Sequence, residues 1–248
     1  MAEVDRIMVN ELGIPIELMM EHAGVNLARL AVELMVQKQT KFWVVAGSGN
    51  NGGGGLVAAR RLVGWGHDVT VVLPMGAHRL RTIPLAQLRR LESLRADITE
   101  SFQTMSETKD SMIIDAFIGY GFEKREDDTT NEVFNTLQES RNVLSLDAPS
   151  GLEVSTGEAV SRIRPIATLT LAFAKSGLLN TDPENTGNLY VCDIGVPSSI
   201  YRHRLGIDWS SFFDSAELYR LDEAFRRSPV HKTKIGFSSD HGVPFWTV

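Results

Sequence analysis

The sequence predicts an α/β fold in which a mainly parallel sheet is covered by helices on both faces. Short apolar, β-branched segments alternate along the chain with segments whose apolar residues recur every three or four positions, which is typical of βαβ units. A glycine-rich stretch directly follows one of these strands, and two other strands end in aspartate. Because ligands of such sheets bind beyond the carboxyl ends of the strands, we expect all three features at one edge.

The elements are predicted in chain order from these patterns. The first 40 residues are expected to be helical, with Gly13-Ile14-Pro15 dividing a short helix from a longer one. Further helices are predicted at 56–66, 78–95 and 130–140, and strands at 42–45, 69–74, 111–115, 142–147, 167–174 and 188–194. Residues 200–248 lose this alternation and are expected to form a terminal helix and a less regular tail.

Composition limits the function classes. The 248 residues, 43% of them hydrophobic, can bury one large core. A net charge of −6 argues against binding to bulk nucleic acid or to an anionic membrane. The single cysteine, Cys192, allows no internal disulfide. With no signal-peptide pattern and no apolar run that could span a bilayer, we expect a cytoplasmic protein.

The glycine-rich stretch, Gly47 to Gly55, has six glycines in nine residues. A strand, a glycine loop and a helix in that order make an anion cradle, because glycine lets the backbone approach a ligand and the helix N-terminus offers free N–H groups. The stretch matches G-x-G-x-x-G, but the second strand ends in Val72-Leu73-Pro74-Met75 without the acid of a dinucleotide site, and no Lys-Ser/Thr follows as in a P-loop. Asn50 and Asn51 therefore suit a phosphate or a hard cation.

Asp115 and Asp147 each end a predicted strand, and a Pro-Ser-Gly turn after Asp147 directs Ser150 to the same edge. An aspartate in this position is often only a helix cap or a turn former. Beside a glycine cradle, however, the carboxylate, amide and hydroxyl oxygens can ligate a hard monovalent or divalent cation, which leaves one carboxylate for acid/base work. The histidines have no metal-ligand spacing, and no nucleophilic triad is visible.

Six ordered motifs together resemble the NAD(P)H-hydrate epimerase family, the YjeF N-terminal-type domain. After an opening V-D-R, G-I-P and L-M-M-E-H-A-G come G-S-G-N-N-G-G-x-G-L-V-A-A-R, D-x-F-x-G-x-G, D-A-P-S-G-L, T-x-T-x-A-x-x-K-x-G and D-I-G-V-P. The resemblance covers about residues 3–200. It defines an expected domain at 1–200, followed by a tail at 201–248 that is a possible remnant of the linker to a dehydratase domain.

The resemblance implies a Rossmann-like three-layer α/β/α sandwich, commonly a homodimer, that interconverts the R and S epimers of hydrated NADH and NADPH. The S epimer would then pass to an ATP- or ADP-dependent dehydratase. A potassium ion is implied near Asn51, Asp115 and Ser150. The implied substrate contacts are Asn50, Asn51, Gly52, Gly53, Gly54, Gly119, Tyr120, Gly121, Phe122, Glu123, Lys124, Arg125 and Asp147.

This chemistry needs an acid/base group, for which Asp147 is our hypothesis. The hydroxyl-bearing carbon neighbours the ring nitrogen, so its C–O bond can break with lone-pair assistance and be remade on the other face. The potassium ion and the glycine cradle would position the substrate rather than perform bond chemistry. No hydride is transferred, which agrees with the missing acid of a conventional NAD site.

The sequence departs from the family pattern in two places. The family's loop normally reads N-N-G-G-D-G, and Gly54 stands at the aspartate position. Residues 226–236, RRSPVHKTKIG, resemble a degraded form of the stretch that begins the dehydratase half of bifunctional members. Gly54 favours the alternative, a scaffold domain without catalysis that binds nucleotide or RNA through a basic cluster, Arg79, Arg81, Arg89, Arg90 and Arg95. A solvated helix face is, however, the more common explanation of such a cluster. An NAD-dependent oxidoreductase would need the missing ribose acid.

Overall fold

The structure is a computed structural model. It describes residues 1–35, 40–102, 105, 111–122, 127–204, 206, 213, 217–221 and, by backbone alone, 233–234. The predicted contacts Glu123, Lys124 and Arg125 lie outside these residues, as does most of the predicted dehydratase-like stretch at 226–236.

The described residues form a nine-stranded sheet with helices between the strands. The strands are β1 Lys41–Ala46, β2 Asp68–Val72, β3 Asp97–Thr99, β4 Ser111–Ala116, β5 Val143–Leu146, β6 Ala167–Leu171, β7 Asn188–Cys192, β8 Leu218–Leu221 and β9 Thr233–Lys234. The helices are α1 Ala2–Arg6, α2 Ile16–Leu34, α3 Asn50–Gly64, α4 Thr82–Ser93, α5 Asp128–Glu139, α6 Ser176–Asn180 and α7 Ser198–Arg204, with a π-helical segment at Ile7–Glu11 and 3₁₀ turns at Ala77–Arg79 and Pro183–Asn185.

The strand order is β3-β2-β1-β4-β5-β6-β7-β8-β9. The strands from β3 to β7 pair in parallel, whereas β8 pairs antiparallel with β7 and β9 pairs antiparallel with β8. The order reverses between β1 and β4, which makes the carboxyl ends of these two strands the topological switch point of the sheet. The predicted α/β fold with a mainly parallel sheet is confirmed.

Side chains of β1 show that both faces of the sheet are covered. Phe42 and Val44 belong to one hydrophobic cluster, with residues of α2, α3 and α4, whereas Trp43 and Val45 belong to a second cluster with residues of α5. This alternation follows from the two-residue period of a strand, and burial on both faces explains why β1 is apolar throughout its centre. Among the described helices, none is long and apolar enough to cross a membrane.

All six predicted strands are present, and the division of the N-terminal helices at Gly13-Ile14-Pro15 is confirmed. Three further strands were not predicted. The strand β3 has only three residues at the edge of the sheet, and β8 and β9 lie in the tail, where the alternation of strands and helices is lost. The chain beyond residue 200 therefore adds two strands to the sheet.

The prediction of a glycine loop that ends before Leu56 is wrong, because α3 begins at Asn50 and contains Gly52 to Gly55. Close packing explains these helical glycines. A Cβ at Gly53 would lie 2.6 Å from Cε of Met20, and a Cβ at Gly55 would overlap Cβ of Ala116. The glycines thus bring α3 against α2 and the sheet, and their low helix propensity is offset by tertiary contact.

Candidate active site

A cavity of about 320 Å³ lies at the carboxyl ends of the strands, where the topological switch point predicts a ligand site. Of the predicted contacts, those that line the cavity are Asn50, Asn51, Gly54, Gly119, Tyr120, Gly121 and Asp147. Asp115 and Ser150 are fully buried beside it. Phe122 instead packs against Phe134 of α5, with ring centroids 6.3 Å apart.

Asp147 follows β5 and is held by donors from two directions. Its Oδ2 accepts a hydrogen bond from the backbone N–H of Tyr120 at 2.9 Å, and its Oδ1 accepts one from the backbone N–H of Leu171 at 3.4 Å. Its exposed fraction is 2%, yet it lines the cavity. The carboxylate is therefore fixed in direction, as a group that exchanges protons with a bound ligand must be.

Lys175 is a candidate site residue that the sequence interpretation did not single out. Its Nζ forms an ion pair with Oδ1 of Asp147 and also donates to Oγ1 of Thr170 and to the carbonyl oxygen of Leu171, each at 2.9 Å. Three acceptors use all three donors of an ammonium group. Burial lowers the pKa of Lys175, and the negative charge of Asp147 opposes that shift. The signal in the sequence was the K of T-x-T-x-A-x-x-K-x-G.

The backbone is strained at two residues of this corner, Asp147 itself and Ala172. Asp147 has a φ of 67° and Ala172 a φ of 66°, in the left-handed region that side chains with a Cβ seldom adopt. Such strain costs about 1–3 kcal/mol and is commonly found at functional sites. The hydrogen bonds around Asp147 and Lys175 offset part of that cost, and the strain makes this corner the strongest candidate for the centre of a site.

Asp115, at the end of β4, is fully buried among hydrogen-bond donors. Its Oδ1 accepts from Oγ of Ser150 at 2.5 Å and from the N–H of Phe117 at 3.3 Å, and its Oδ2 accepts from Oγ of Ser145 at 3.0 Å and from the N–H of Ser150 at 2.9 Å. Burial raises the pKa of Asp115, and these hydrogen bonds oppose the shift. The pairing of Asp115 with Ser150 agrees with the predicted convergence of these residues.

The predicted cation ligands pass one physical test. Asp115 is completely buried, and within the described residues no basic side chain forms an ion pair with it. A buried carboxylate without a counter-charge is costly, and a nearby cation would remove that cost. Carboxylate, hydroxyl and amide oxygens are also the ligands that hard cations prefer, so Asp115, Ser150 and Asn51 fit such an ion. In the part of the chain that the structure describes, no cluster of His, Cys, Asp or Glu suits a transition metal.

Asn51 and Gly119 bring the start of α3 close to Asp147. A Cβ at Gly119 would lie 2.8 Å from Oδ1 of Asn51 and 3.0 Å from Oδ2 of Asp147, so a larger residue would displace one of these side chains. The amide nitrogen of Asn51 is buried and has no hydrogen-bond partner among the described residues. An unsatisfied buried amide beside a cavity is well explained by a ligand that completes its hydrogen bonding.

The N-terminus of α3 supplies further donors. The first hydrogen bond of the helix runs from the N–H of Gly53 to the carbonyl of Gly49 at 3.1 Å, so the N–H groups before Gly53 have no intrahelical acceptor. Gly49 and Asn50 line the cavity, as does the exposed Arg81 just before α4. Free N–H groups at a helix N-terminus favour an anion such as a phosphate.

Tyr120 and Asp5 complete the wall of the cavity. The hydroxyl of Tyr120 donates to Oδ2 of Asp5 at 2.8 Å, although 115 residues separate them in the sequence. Asp5, in the V-D-R of the opening, was not predicted as a site residue. Burial raises the pKa of Asp5, and burial together with the Asp5 carboxylate raises the pKa of Tyr120.

Four of the five arginines in the basic cluster of the alternative interpretation lie outside the cavity. Arg79, Arg89, Arg90 and Arg95 are exposed and do not line the cavity, whereas Arg81 does. The arrangement therefore places the residues predicted for acid/base, cation-binding and anion-binding roles at one end of the sheet, and the remaining arginines on the surface.

Comparison with known proteins finds a matching family model and similar chains over most of the sequence. A family model described as YjeF-related protein N-terminus matches residues 16–177. The chain is 34% identical over 233 residues to an NAD(P)H-hydrate epimerase of Dehalogenimonas lykanthroporepellens, with 89% of this chain and 90% of that protein covered. A bifunctional NAD(P)H-hydrate repair enzyme Nnr of Thermofilum pendens is 33% identical, with 79% of this chain and 39% of that protein covered.

Among solved structures, yeast ynu0 is similar, with a TM-score of 0.76 over 89% of this chain and 96% of that one. At 23% sequence identity this similarity establishes the fold alone. It agrees with the α/β architecture described above.

Proposed function

Because the chain belongs to the family of YjeF-related protein N-termini, we propose that it is an NAD(P)H-hydrate epimerase, an isomerase that interconverts the R and S epimers of hydrated NADH and NADPH. The observation that carries the proposal is the buried Asp147–Lys175 ion pair at the wall of the cavity. A scaffold domain would have no need to bury this pair beside an open cavity, and to strain the backbone at Asp147 for it.

In this mechanism the Asp147–Lys175 pair handles the proton of the substrate hydroxyl. The C–O bond breaks as the pair protonates the leaving oxygen, and the lone pair of the ring nitrogen forms a C=N⁺ bond. Addition of water to the opposite face then gives the other epimer. Lys175 keeps Asp147 in one orientation, because its remaining donors are held by Thr170 and Leu171.

The N-terminus of α3 and Asn51 would bind the nucleotide part of the substrate. The free N–H groups before Gly53 suit a phosphate, and the unsatisfied amide of Asn51 suits a polar ligand atom. A substrate held at this end has its reduced ring free to reach Asp147. Binding energy from the nucleotide would thus be used to orient the reacting carbon.

A potassium ion would be held by Asn51, Asp115 and Ser150. Its positive charge would balance the buried Asp115 carboxylate and stabilise the polar wall of the cavity. This assignment is supported by the absence of a basic partner for Asp115 among the described residues.

We further propose that the protein is a homodimer, that it is located in the cytoplasm, and that a dehydratase consumes the S epimer. The name of the bifunctional NAD(P)H-hydrate repair enzyme of Thermofilum pendens supports the last of these proposals.

The proposal is tested by epimerisation of the R epimer of hydrated NADH, coupled to a separate S-specific dehydratase. Spontaneous epimerisation is measured without the protein and subtracted. We expect a rate above background that falls when sodium replaces potassium. A rate equal to background, with nucleotide still bound in a direct binding assay, would contradict the enzyme and favour a binding domain.

Replacing Gly54 by Asp should strengthen substrate binding. A Cβ at Gly54 would lie 2.8 Å from Cδ2 of Leu146, a terminal atom that can move, so the side chain can be accommodated. The new carboxylate would accept a hydrogen bond from the ligand, for which we expect KM to fall about tenfold, or about 1.4 kcal/mol. Gly54→Ala is the matched control, since it adds the same Cβ without a carboxylate. An equal KM in both variants would contradict the prediction.

A further inference from the structure

One feature of the cavity lies outside the chemistry of Asp147 and Lys175. Asp5, at the N-terminal helix, and Tyr120, in the loop after β4, line the same cavity and are hydrogen-bonded to each other at 2.8 Å. The exposed fraction of Tyr120 is 39%, compared with 2% for Asp147. The Asp5–Tyr120 pair therefore lies nearer to solvent than the Asp147–Lys175 pair.

A single residue connects the two pairs. The backbone N–H of Tyr120 donates to Asp147, and the hydroxyl of the same residue donates to Asp5. The carboxylates of Asp147 and Asp5 therefore border the same cavity and contact opposite ends of Tyr120. A substrate ring that enters beside Tyr120 would have an acidic group at its inner end and another at its outer end.

Packing holds Asp5 in this position. Val4, Ile7 and Met8 around it are fully buried, and Glu11 in the following π-helical segment forms an ion pair with Arg204 of α7 at 2.9 Å. The N-terminal helix is therefore anchored both to the core and to a distant helix. π-Helical segments are often found at functional sites.

The proposed epimerisation needs proton exchange on both faces of the ring. When the hydroxyl leaves one face it takes up a proton, and when water adds to the other face it must lose one. A single group would have to serve both faces, whereas two groups at opposite ends of the cavity can each serve one. General acid/base groups must lie within hydrogen-bond reach of the oxygen that they serve.

We propose that Tyr120 and Asp5 form a second acid/base pair, which takes the proton from the water that adds on the face opposite Asp147. This inference rests on the function proposed above and names two further residues for the same site. In one direction the attacking water forms its C–O bond and gives a proton to Oη of Tyr120, whose own proton passes to Oδ2 of Asp5. The Asp147–Lys175 pair gives one proton to the leaving hydroxyl, which departs as water, so that atoms and charge balance. In the other direction the two pairs exchange roles.

The electrostatic surroundings agree with this role. Burial raises the pKa of Asp5, which makes its carboxylate a stronger base than an exposed one, while the Tyr120 hydrogen bond opposes the shift. The charged groups that act on Asp5 are the amino group of Met1, Asp147 and Lys175. A tyrosine with a raised pKa stays protonated, so that it can pass a proton along without ionising.

The test compares Tyr120→Phe, Asp5→Asn and the double variant with the wild type in the coupled epimerase assay. Tyr120→Phe removes only the hydroxyl and keeps the backbone N–H that Asp147 needs. We expect kcat to fall about 100-fold in each single variant, at the lower end of the range for the loss of a general acid/base group, with KM changed less than twofold. The kcat of the double variant should be no lower than that of the less active single variant, because the two residues act as a unit. Asp5→Glu, which keeps the carboxylate, should recover part of the lost kcat.

Glu3→Gln is the matched control. Glu3 lies on the same helix, pairs with Arg6 on the surface and does not line the cavity, so its replacement should leave kcat unchanged. Circular dichroism and Tm report whether each variant is folded. An active wild type with unchanged kcat in Tyr120→Phe and Asp5→Asn would overturn the second pair and leave the epimerase standing. If Tm falls while kcat is retained, the Asp5–Tyr120 hydrogen bond has only a structural role, and this result would also overturn the second pair. An inactive wild type would overturn the epimerase and this pair with it.

Discussion

Replacing Asp147 by Asn should lower kcat for epimerisation by about 10²- to 10⁴-fold, the usual contribution of a general acid/base group. Asparagine tolerates the left-handed backbone at this position and can still accept from the N–H of Tyr120. It cannot, however, exchange a proton with the substrate hydroxyl. The measurement is kcat in the coupled assay, with spontaneous epimerisation subtracted. A rate equal to that of the wild type would remove Asp147 from the mechanism.

A second effect must be separated from this one. Asp147→Asn leaves the buried Lys175 without its carboxylate, and breaking a buried ion pair in this way typically costs about 3–5 kcal/mol. The variant Asp147→Asn with Lys175→Met removes both charges and should recover much of the free energy of unfolding. If the double variant is stable and still inactive, the lost activity reflects chemistry and not unfolding. Recovery of activity in the double variant would contradict the assigned role.

Replacing Gly52 by Ala should lower the free energy of unfolding by about 3 kcal/mol, at the upper end of the usual cost of overpacking. A Cβ there would overlap the carbonyl oxygen of Gly47 and lie 2.7 Å from its carbonyl carbon and 2.8 Å from its nitrogen. These are backbone atoms at the turn into α3, so they cannot move aside as a side chain does. The steric cost outweighs the gain of about 1 kcal/mol that alanine brings to a helix interior.

Gly64→Ala is the control in the same helix. Outside the adjoining backbone of α3, no atom lies within 4 Å of a Cβ at Gly64, so only helix propensity acts, and we expect α3 to be stabilised by up to about 1 kcal/mol. Urea denaturation measures both variants. Opposite signs for two glycine-to-alanine changes in one helix would show that packing, not backbone freedom, requires Gly52. Equal stabilisation in both variants would contradict that explanation.

The elements of the fold were largely predictable because their signals are local. The continuous apolar run of β1 and the three- to four-residue spacing in α2 reflect which faces are buried, and both are visible in neighbouring residues. The glycines of α3 were misread as a loop, since glycine has low helix propensity and the contact with Met20 and Ala116 that requires it is not local. The strands β8 and β9 were missed because they lie in the tail, beyond the regular alternation of strands and helices.

For the site, the sequence by itself determined which groups come to the carboxyl edge, because parallel strands end there together. Asp115, Asp147 and Ser150 were found in that way. Only the tertiary structure decided which partners those groups have. Asp5 reaches Tyr120 across 115 residues and Lys175 reaches Asp147 across 28. The second of these pairs forms because buried polar groups must find a partner wherever the chain brings one.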